Sequence, residues 1–341
     1  MFSRALILGA TGMIGAHALR ACLRRGIAVR ALIRPQSDRR LLEGRDVEIA
    51  LGDLFDRGSL ERALAGCDLA IHCAAAYPTR YFGKRAFLTH ARTGMANVLA
   101  AAAAATGNAG PGDSGLRRLV YVSSATTIGR PPGTESSAAR PAREDDLLRV
   151  PDQSPYFAAK SLMEDLARDA AAEGVPLVIV NPTFCVDEYD DHRTTAQLMI
   201  PLAKGQIPAY LPGTLNAVPT RDVGEGIVRA AERGRIGERY ILGGENLTSR
   251  EFLARCAETV GVSPPRVAMP IPLAEALSWI TEAFAHLGGG RPLFPMAGIR
   301  MMKWSQPYAT DRAREELGYT PSSVTAAIER AYAYYRARGW L

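Results

Sequence analysis

The chain has 341 residues, of which 47% are hydrophobic and 22% are charged, and its formal net charge is +6. This composition is typical of a folded globular protein and argues against a disordered or fibrous chain. The basic residues are scattered, so they predict no nucleic-acid interface. The five cysteines are odd in number and form no Cys-x-x-Cys pair, which argues against a disulfide framework and a structural zinc site. We therefore expect no metal.

The first predicted element is the apolar run Ala5-Leu6-Ile7-Leu8, which is typical of a buried strand in a parallel sheet. A helix is predicted from Met13 to Arg25. Three glycines at three-residue spacing, Gly9, Gly12 and Gly15, follow the strand and extend into the start of the helix. Glycines permit a tight turn and let the backbone approach a pyrophosphate at the start of the helix. The pattern predicts a dinucleotide site.

The second predicted strand covers residues 28–33 and is followed by Arg34. An acidic residue at this position would bind the adenosine ribose and favour NAD. The sequence instead places Arg34 and Arg39 here, and guanidinium groups suit a 2′-phosphate. We therefore expect NADP(H) as the cofactor. In the less favoured alternative the arginines belong to a solvated basic loop and the cofactor is NAD(H).

Further strands are predicted at residues 47–51, 69–72, 118–122 and 176–180, with helical stretches between them. Alternating strands and helices are typical of a parallel sheet with helices on both faces. The fold class expected from the first half is therefore α/β, with a doubly wound parallel Rossmann sheet.

Tyr156 and Lys160 lie four residues apart, so on a helix they share one face. The surrounding sequence predicts that helix, because Ser154 suits its N-cap and Gly174 its end. An ammonium group favours the ionised form of a neighbouring phenol. Such a pair can exchange a proton with a substrate hydroxyl or carbonyl oxygen. Together with the glycine turn, it indicates redox chemistry on a nicotinamide cofactor.

The pattern changes after about residue 183. Helices are predicted at Asp222–Arg233, Thr248–Val260 and Ser323–Arg336, and Thr248 and Glu251 fit a capping box. We expect residues 1–182 to form the NAD(P)-binding domain. Residues 183–341 should form a smaller, mostly helical C-terminal substrate lobe, with some elements returning to the sheet.

The segment from Leu273 to Leu287 is apolar. An amphipathic helix packed on its own core is the favoured interpretation; contact with a membrane surface or an oily substrate pocket are the alternatives. No apolar run has the length of a transmembrane helix. The N-terminus enters a strand without a signal-peptide pattern, which favours a cytoplasmic location. A homodimer is left open.

Six segments resemble motifs of the extended short-chain dehydrogenase/reductase superfamily. They are Gly9-Ala10-Thr11-Gly12-Met13-Ile14-Gly15, Gly52-Asp53-Leu54, His72-Cys73-Ala74-Ala75, Val120-Tyr121-Val122-Ser123-Ser124-Ala125-Thr126, Asn181-Pro182-Thr183 and Arg235-Ile236-Gly237-Glu238-Arg239-Tyr240-Ile241-Leu242-Gly243-Gly244. The chain looks most like the branch of dihydroflavonol reductases, 3β-hydroxysteroid dehydrogenases and hopanoid-associated sugar-epimerase-like proteins. The resemblance runs along almost the whole chain and implies an NAD(P)-dependent enzyme.

The resemblance also implies roles for individual residues. It gives Ser124 a catalytic role beside Tyr156 and Lys160. With the basic segment included, the residues expected to bind the cofactor are Gly9, Thr11, Gly12, Met13, Ile14, Gly15, Arg34, Arg39, Asp53, Leu54, Ala74, Ala75, Lys160 and Pro182. The residues expected to contact the substrate are Tyr77, Phe184, Asp187 and Tyr189.

The chain departs from the family in two places. Relatives often carry Asn three residues before the glycine equivalent to Gly94, where this chain has Ala91. Many relatives continue after Asn-Pro with a Gly-Pro-rich loop, whereas residues 184–192 here read Phe-Cys-Val-Asp-Glu-Tyr-Asp-Asp-His. This segment is expected near the substrate, so the resemblance does not identify the substrate.

Three functions remain open, and the first is favoured. One is an NADPH-dependent reductase of a hydrophobic ketone or aldehyde, or the reverse alcohol dehydrogenase. The second is an NDP-sugar epimerase or dehydratase with retained NAD, in which Arg193, Arg221 or Arg291 would clamp the diphosphate. The third is a non-catalytic nucleotide-binding regulator, which the presence of both Tyr156 and Lys160 disfavours.

Overall fold

The computed structural model describes residues 1–74, 84–107, 115–130, 140–146, 155–288 and 296–341. In this part of the chain the main sheet has seven parallel strands, which are β1 (Arg4–Leu8), β2 (Ala28–Ile33), β3 (Val47–Leu51), β4 (Leu69–His72), β5 (Arg118–Val122), β6 (Leu177–Pro182) and β10 (Arg239–Leu242). The six strands predicted in the first half are all present, with small shifts at their ends. Their apolar runs are buried, as a sheet covered on both faces requires.

The strand order is β3-β2-β1-β4-β5-β6-β10. The chain winds outward from β1 to β3 and then returns to the other side of β1 through β4. Leu8 and His72 are therefore register partners at the carboxyl ends of adjacent strands. In doubly wound sheets, ligands bind in the crevice at this switch point.

Helices cover both faces of the sheet, as predicted. One face packs against α1 (Met13–Arg24), α6 (Thr220–Arg233) and α10 (Asp311–Leu317). The other face packs against α2 (Arg57–Leu64), α3 (Lys84–Gly107) and α4 (Pro155–Ala172). A short 3₁₀ helix, Ala125–Thr127, follows β5.

Gly224 brings α1 and α6 together at close range. A Cβ at this position would lie 2.6 Å from the carbonyl carbon of His17, so the two helix backbones meet without a side chain between them. Arg24 of α1 and the C-cap residue Arg25 also pair with Glu225 of α6. The helix that carries the glycine turn is thereby fixed against the sheet.

The second half contributes more strands than the sequence predicted. In addition to β10, the described residues form β7 (Phe184–Val186), β8 (Ala209–Tyr210), β9 (Thr214–Pro219), β11 (Glu245–Thr248) and β12 (Val267–Ala268). They build a three-stranded and a two-stranded sheet. Four of these five strands have only two to four residues, too few to produce a clear alternating pattern.

The remaining helices are α5 (Ala196–Ala203), α7 (Ser249–Val260), α8 (Ile271–Gly288), α9 (Met296–Trp304) and α11 (Val324–Ala337). The predicted capping box at the start of α7 is confirmed, with Thr248 and Glu251 bonded reciprocally. The side chains of α5, α7 and α11 enclose a separate apolar core around Phe252 and Tyr332. Among the described residues, no helix is both long and apolar enough to cross a bilayer.

Candidate active site

The glycine turn between β1 and α1 leaves room for a ligand. Gly9 has φ 87°, and a Cβ there would lie 2.7 Å from the amide nitrogen of Ala74. A Cβ on Gly15 would overlap the carbonyl of Gly9, whereas one on Gly12 would meet only that carbonyl oxygen, at 3.5 Å. Helix α1 begins with no side-chain cap and no acidic residue in its first turn. Its free N–H groups and the open face of Gly12 fit a dinucleotide pyrophosphate.

Four neighbouring strands bring other predicted residues to the same edge of the sheet. Ala74 lies just beyond β4, Ser124 just beyond β5, and Pro182 ends β6. The pairing of β1 with β4, β4 with β5 and β5 with β6 aligns these carboxyl ends. This is the edge at which the glycine turn opens.

The predicted adenosine end lies beyond β2 and β3. Arg34 follows β2 and is exposed, and its backbone N–H donates to Ser37 Oγ at 3.2 Å. Arg39 is exposed as well. Arg40, in contrast, is engaged by Asp38. Asp53, beyond β3, accepts from the Phe55 N–H at 3.0 Å and so stabilises its own turn.

Helix α4 begins at Pro155 and carries the Tyr/Lys pair in its first two turns, as predicted. The Lys160 side chain is buried, and its ammonium lies 3.4 Å from the carbonyl oxygens of Val122 and Ser123. These carbonyls belong to the carboxyl end of β5. Tyr156 lies one turn earlier on the same helix face and is partly buried.

Ser124 lies two residues beyond the end of β5, the strand that Lys160 contacts. Its Oγ accepts from the Thr126 N–H at 3.2 Å and from Thr126 Oγ1 at 3.0 Å. Its carbonyl oxygen accepts from Asn181 Nδ2 at 3.1 Å. A hydroxyl that accepts two hydrogen bonds still has one proton to donate, so Ser124 can hold a substrate oxygen.

Glu164 continues the series Tyr156, Lys160 at the same four-residue spacing, a signal that the sequence analysis missed. Its Oε2 accepts from Ser123 Oγ at 2.6 Å, Thr127 Oγ1 at 2.7 Å and Asn181 Nδ2 at 2.8 Å. Its Oε1 accepts from Arg239 Nη1 at 2.9 Å. Glu164 therefore fixes α4 to β5, β6 and β10 and positions the Tyr/Lys pair indirectly.

His72 and Tyr121 are register partners on β4 and β5, and both are fully buried. Their rings lie 5.6 Å apart, and the Lys160 ammonium lies 5.9 Å from the Tyr121 ring centroid. Burial, together with the charge of Lys160, lowers the pKa of His72 to about 3. His72 is therefore a neutral imidazole at physiological pH.

Asp187 occupies a different setting from the one expected of a substrate contact. Its side chain has no exposed surface, and its carboxylate accepts from Arg330 Nε at 2.7 Å and Arg330 Nη2 at 2.9 Å. The N–H groups of Glu188 and Arg221 donate to it as well, each at 3.1 Å. This carboxylate joins β7 to α6 and α11. These contacts give Asp187 a structural role and offer no support for substrate contact, which stays a prediction for this residue.

Tyr189 also packs against other side chains of the protein. Its backbone is left-handed, with φ 71°, and its ring lies 4.0 Å from the Arg20 guanidinium and 5.6 Å from the Tyr334 ring. Phe184 packs edge-on against Phe252 at 5.4 Å, in the core of the second half. Phe184 and Tyr189 keep part of their surface exposed, so substrate contact by these two stays a prediction.

His17, Asp187 and Glu188 place ligand atoms within 4.8 Å of one another. Asp187, however, is already neutralised by Arg330. Burial is the main cause that lowers the pKa of His17 to about 4. Because the Asp187 oxygens are taken by other donors, we assign this group to packing between α1 and the segment after β7.

Ala75 and Tyr77, expected at the cofactor and the substrate, lie outside the described residues. Ser154, the expected cap of α4, lies outside them too.

Comparison with known proteins agrees with this geometry. The model of the NAD dependent epimerase/dehydratase family matches residues 5–243. Sterol demethylase protein B of Methylococcus capsulatus is 32% identical, covering 98% of this chain and 99% of that protein. The 4-hydroxy-2-methyl-3-oxo-4-farnesyl-3,4-dihydroquinoline-1-oxide ketoreductase of Stigmatella aurantiaca is 30% identical, covering 93% of this chain and 91% of that one.

A solved structure of a nucleoside-diphosphate-sugar epimerase from Pseudomonas aeruginosa superposes with a TM-score of 0.79 at 28% identity and covers 99% of both chains. The family match includes the glycine turn, Ser124 and the Tyr/Lys pair. The chain is thus an NAD(P)-dependent oxidoreductase of the extended short-chain dehydrogenase/reductase type. It belongs to the NAD dependent epimerase/dehydratase family.

Proposed function

We propose that this enzyme is an NADP(H)-dependent carbonyl reductase, or hydroxyl dehydrogenase in reverse, acting on a hydrophobic ketone, aldehyde or alcohol. The observation that carries the proposal is the position of Tyr156 and Lys160 on one face of α4, against the end of β5 that precedes Ser124. This edge of the sheet also holds the glycine turn. Acid-base groups and a dinucleotide cradle therefore meet at one crevice.

Each residue has a distinct role in the proposal. Ser124 donates its hydroxyl proton to the substrate oxygen and holds the carbonyl in place. Tyr156 gives its phenolic proton to that oxygen in reduction and takes it back in oxidation. Lys160 favours the phenolate through its charge. The nicotinamide, when bound, supplies or accepts the hydride.

The cofactor would lie across the switch point between β1 and β4. The first turn of α1 would bind the pyrophosphate, and Arg34 with Arg39 would bind the 2′-phosphate. Ala74 and Pro182 would line the nicotinamide half. We further propose that residues 1–182 form the cofactor domain and residues 183–341 the substrate lobe.

A hydrophobic substrate is supported by the relatives. Two proteins that match over more than nine-tenths of this chain are named for a sterol and for a farnesylated quinoline. One of them is named as a ketoreductase. The direct test is NADPH consumption by the purified protein over a panel of terpenoid, steroid and aromatic ketones, with NADH in parallel. Oxidation of NADPH by an apolar ketone is the expected result.

The second candidate is an NDP-sugar epimerase, favoured by the likeness to the sugar-nucleotide epimerase structure. Two of the arginines expected to clamp a diphosphate are engaged elsewhere. The Arg193 guanidinium lies 4.5 Å from the Trp340 ring, and Arg221 pairs with Glu188 at 3.4 Å. Arg291 lies outside the described residues.

The two candidates differ in how they use the cofactor. A reductase exchanges its cofactor every turnover, whereas an epimerase regenerates its own. Denaturing the purified protein and identifying any released nucleotide separates them, with NDP-sugars screened beside the ketones. Stoichiometric bound NAD, sugar interconversion and no net NADPH consumption would favour the epimerase.

A further inference from the structure

Helix α8 exposes large apolar side chains to solvent. Leu273, Trp279 and Ile280 are 51%, 66% and 53% exposed. In the same helix Ser278 and Ala274 are buried. A helix that folds onto its own core normally shows the opposite arrangement, with its largest apolar side chains inside. For residues 271–281, the part of α8 whose side chains the structure describes, packing on the core does not account for this exposure.

The exposed residues form one continuous face. At about 100° per residue, five exposed positions fall within an arc of roughly 120° on α8. These positions are Pro272, Leu273, Ala276, Trp279 and Ile280, and none is polar or charged. We call this set the α8 apolar face. An uninterrupted exposed apolar face of this kind indicates a binding surface.

Exposed apolar side chains are concentrated in this region. Of the ten large hydrophobic residues that are exposed in the described chain, five lie between residues 267 and 301. Beside the three on α8, they are Val267, just before the helix, and Met301 on α9. Helix α9 packs against α8, so Met301 belongs to the same region.

The surrounding charge is positive. Residues 261–288 and 296–305 contain three basic residues, Arg266, Arg300 and Lys303, and two acidic ones, Glu275 and Glu282, an excess of one positive charge. Arg266 is exposed, and Lys303 is exposed while pairing with Glu275 at 2.8 Å. Two copies facing each other through this surface would bring like charges together, whereas an anionic surface would complement them.

We propose that the α8 apolar face docks the protein onto an anionic lipid bilayer as an interfacial contact, without crossing it. An apolar helix face inserts into the acyl boundary, neighbouring cations attract anionic headgroups, and a tryptophan at its border suits the interface. Arg266 supplies the exposed cation beside the face, and Trp279 lies at the border of the arc. This function lies beyond the proposed redox chemistry and does not depend on it.

The test is cosedimentation of the full-length protein with vesicles of phosphatidylcholine alone or of equimolar phosphatidylcholine and phosphatidylglycerol. We expect binding to the anionic vesicles, weakened by added salt and accompanied by a blue shift of tryptophan emission. Trp279→Phe should still bind but lose most of the blue shift, because Phe keeps the apolar contact and removes the reporter.

The chain offers a matched control. Leu273→Ser/Ile280→Ser removes two apolar side chains from the face, and Leu51→Ser/Ile236→Ser removes two of similar exposure, 56% and 55%, elsewhere. The first pair should lower vesicle binding by at least about tenfold and the second should not. Circular dichroism verifies that both variants are folded.

Three outcomes would overturn the proposal. The first is a wild-type protein that does not sediment with anionic vesicles. The second is an equal loss of binding in both double variants. The third is loss of self-association by Leu273→Ser/Ile280→Ser in analytical ultracentrifugation with unchanged vesicle binding, which would assign the face to a second copy of the chain.

Discussion

Glu164 and Arg239 form a buried ion pair at 2.9 Å, with side-chain exposures of only 4% and 6%. Glu164 belongs to the helix that carries Tyr156, and Arg239 belongs to the strand β10 at the sheet edge. The pair therefore connects the acid-base residues to a segment that lies 75 residues further along the chain. The Glu164 carboxylate also accepts hydrogen bonds from three neutral donors, the side chains of Ser123, Thr127 and Asn181.

Replacing Glu164 should destabilise the fold strongly. Glu164→Ala leaves the Arg239 charge buried without its partner, and we expect a loss of about 3–5 kcal/mol in the free energy of unfolding. Urea denaturation measures it. The control is Glu61→Ala, which breaks the exposed Arg57–Glu61 pair on α2 and should cost less than about 1 kcal/mol. Similar losses for both variants would contradict the assignment of Glu164.

Tyr156→Phe keeps the ring and removes the exchangeable proton. Turnover should fall by roughly 10²–10⁴-fold while the cofactor Kd changes little, since general acid-base catalysis is usually worth that much. The measurement is NADPH oxidation on a verified substrate, with calorimetric titration of the cofactor. Tyr210→Phe, outside α4, should be fully active. Retention of wild-type turnover by Tyr156→Phe would refute the proposed mechanism.

Arg34→Ala should reduce the preference for NADPH over NADH. Loss of a charge-assisted contact to the 2′-phosphate should cost on the order of 1.5–3 kcal/mol in NADPH binding and leave NADH binding unchanged. Calorimetric titration with both cofactors gives the two affinities. Arg62→Ala, on the exposed side of α2, is the control. Equal affinities of the wild-type protein for NADH and NADPH would rule out the predicted contact.

Gly224→Ala should weaken cofactor binding from a distance. The added Cβ would press on the α1 backbone at His17 and displace the helix that presents the glycine turn. We expect a higher cofactor Kd and a lower melting temperature. Gly298→Ala on α9, where a Cβ meets nothing within 4 Å, is the control and should change neither. Unchanged cofactor affinity in Gly224→Ala would show that α1 tolerates the shift.

Acid should destabilise the protein through its two buried histidines, His17 and His72. Burial lowers the pKa of His17 to about 4 and of His72 to about 3, from 6.5. The unfolded chain therefore binds more protons than the folded one below pH 6.5, and stability falls as the pH falls from there towards 4. Each histidine should lower the free energy of unfolding by about 2 kcal/mol as the pH falls from 7.5 to 5. Urea denaturation at both pH values should show a smaller loss for His72→Phe. An identical loss in this variant would contradict the role of His72.

The main sheet was predictable because its strands are buried on both faces. Runs such as residues 5–8 and 69–72 are short and mostly apolar. Their length, and the glycines that follow some of them, distinguish these strands from the longer helices in the sequence. The Tyr/Lys pair was found for a similar reason, since four-residue spacing is a local property of a helix. These features need no knowledge of distant contacts.

The rest of the site depends on distant contacts. Glu164 is one of many acidic residues on predicted helices, and only the approach of Arg239 and Asn181 gives it a special position. Asp187 looked like a pocket residue because it follows β6 closely in sequence. Its partner Arg330 comes 143 residues later, so its burial could not be read locally.

The position of β10 at the edge of the sheet has a consequence for synthesis on the ribosome. β6 pairs with β10, so its outer edge has no strand partner until Leu242 has been translated. At about 5–20 residues per second, several seconds separate the emergence of Pro182 from that of Leu242. A nascent chain paused in this interval presents an open strand edge and a Glu164 without Arg239. We expect chains truncated after residue 182 to aggregate through this open edge.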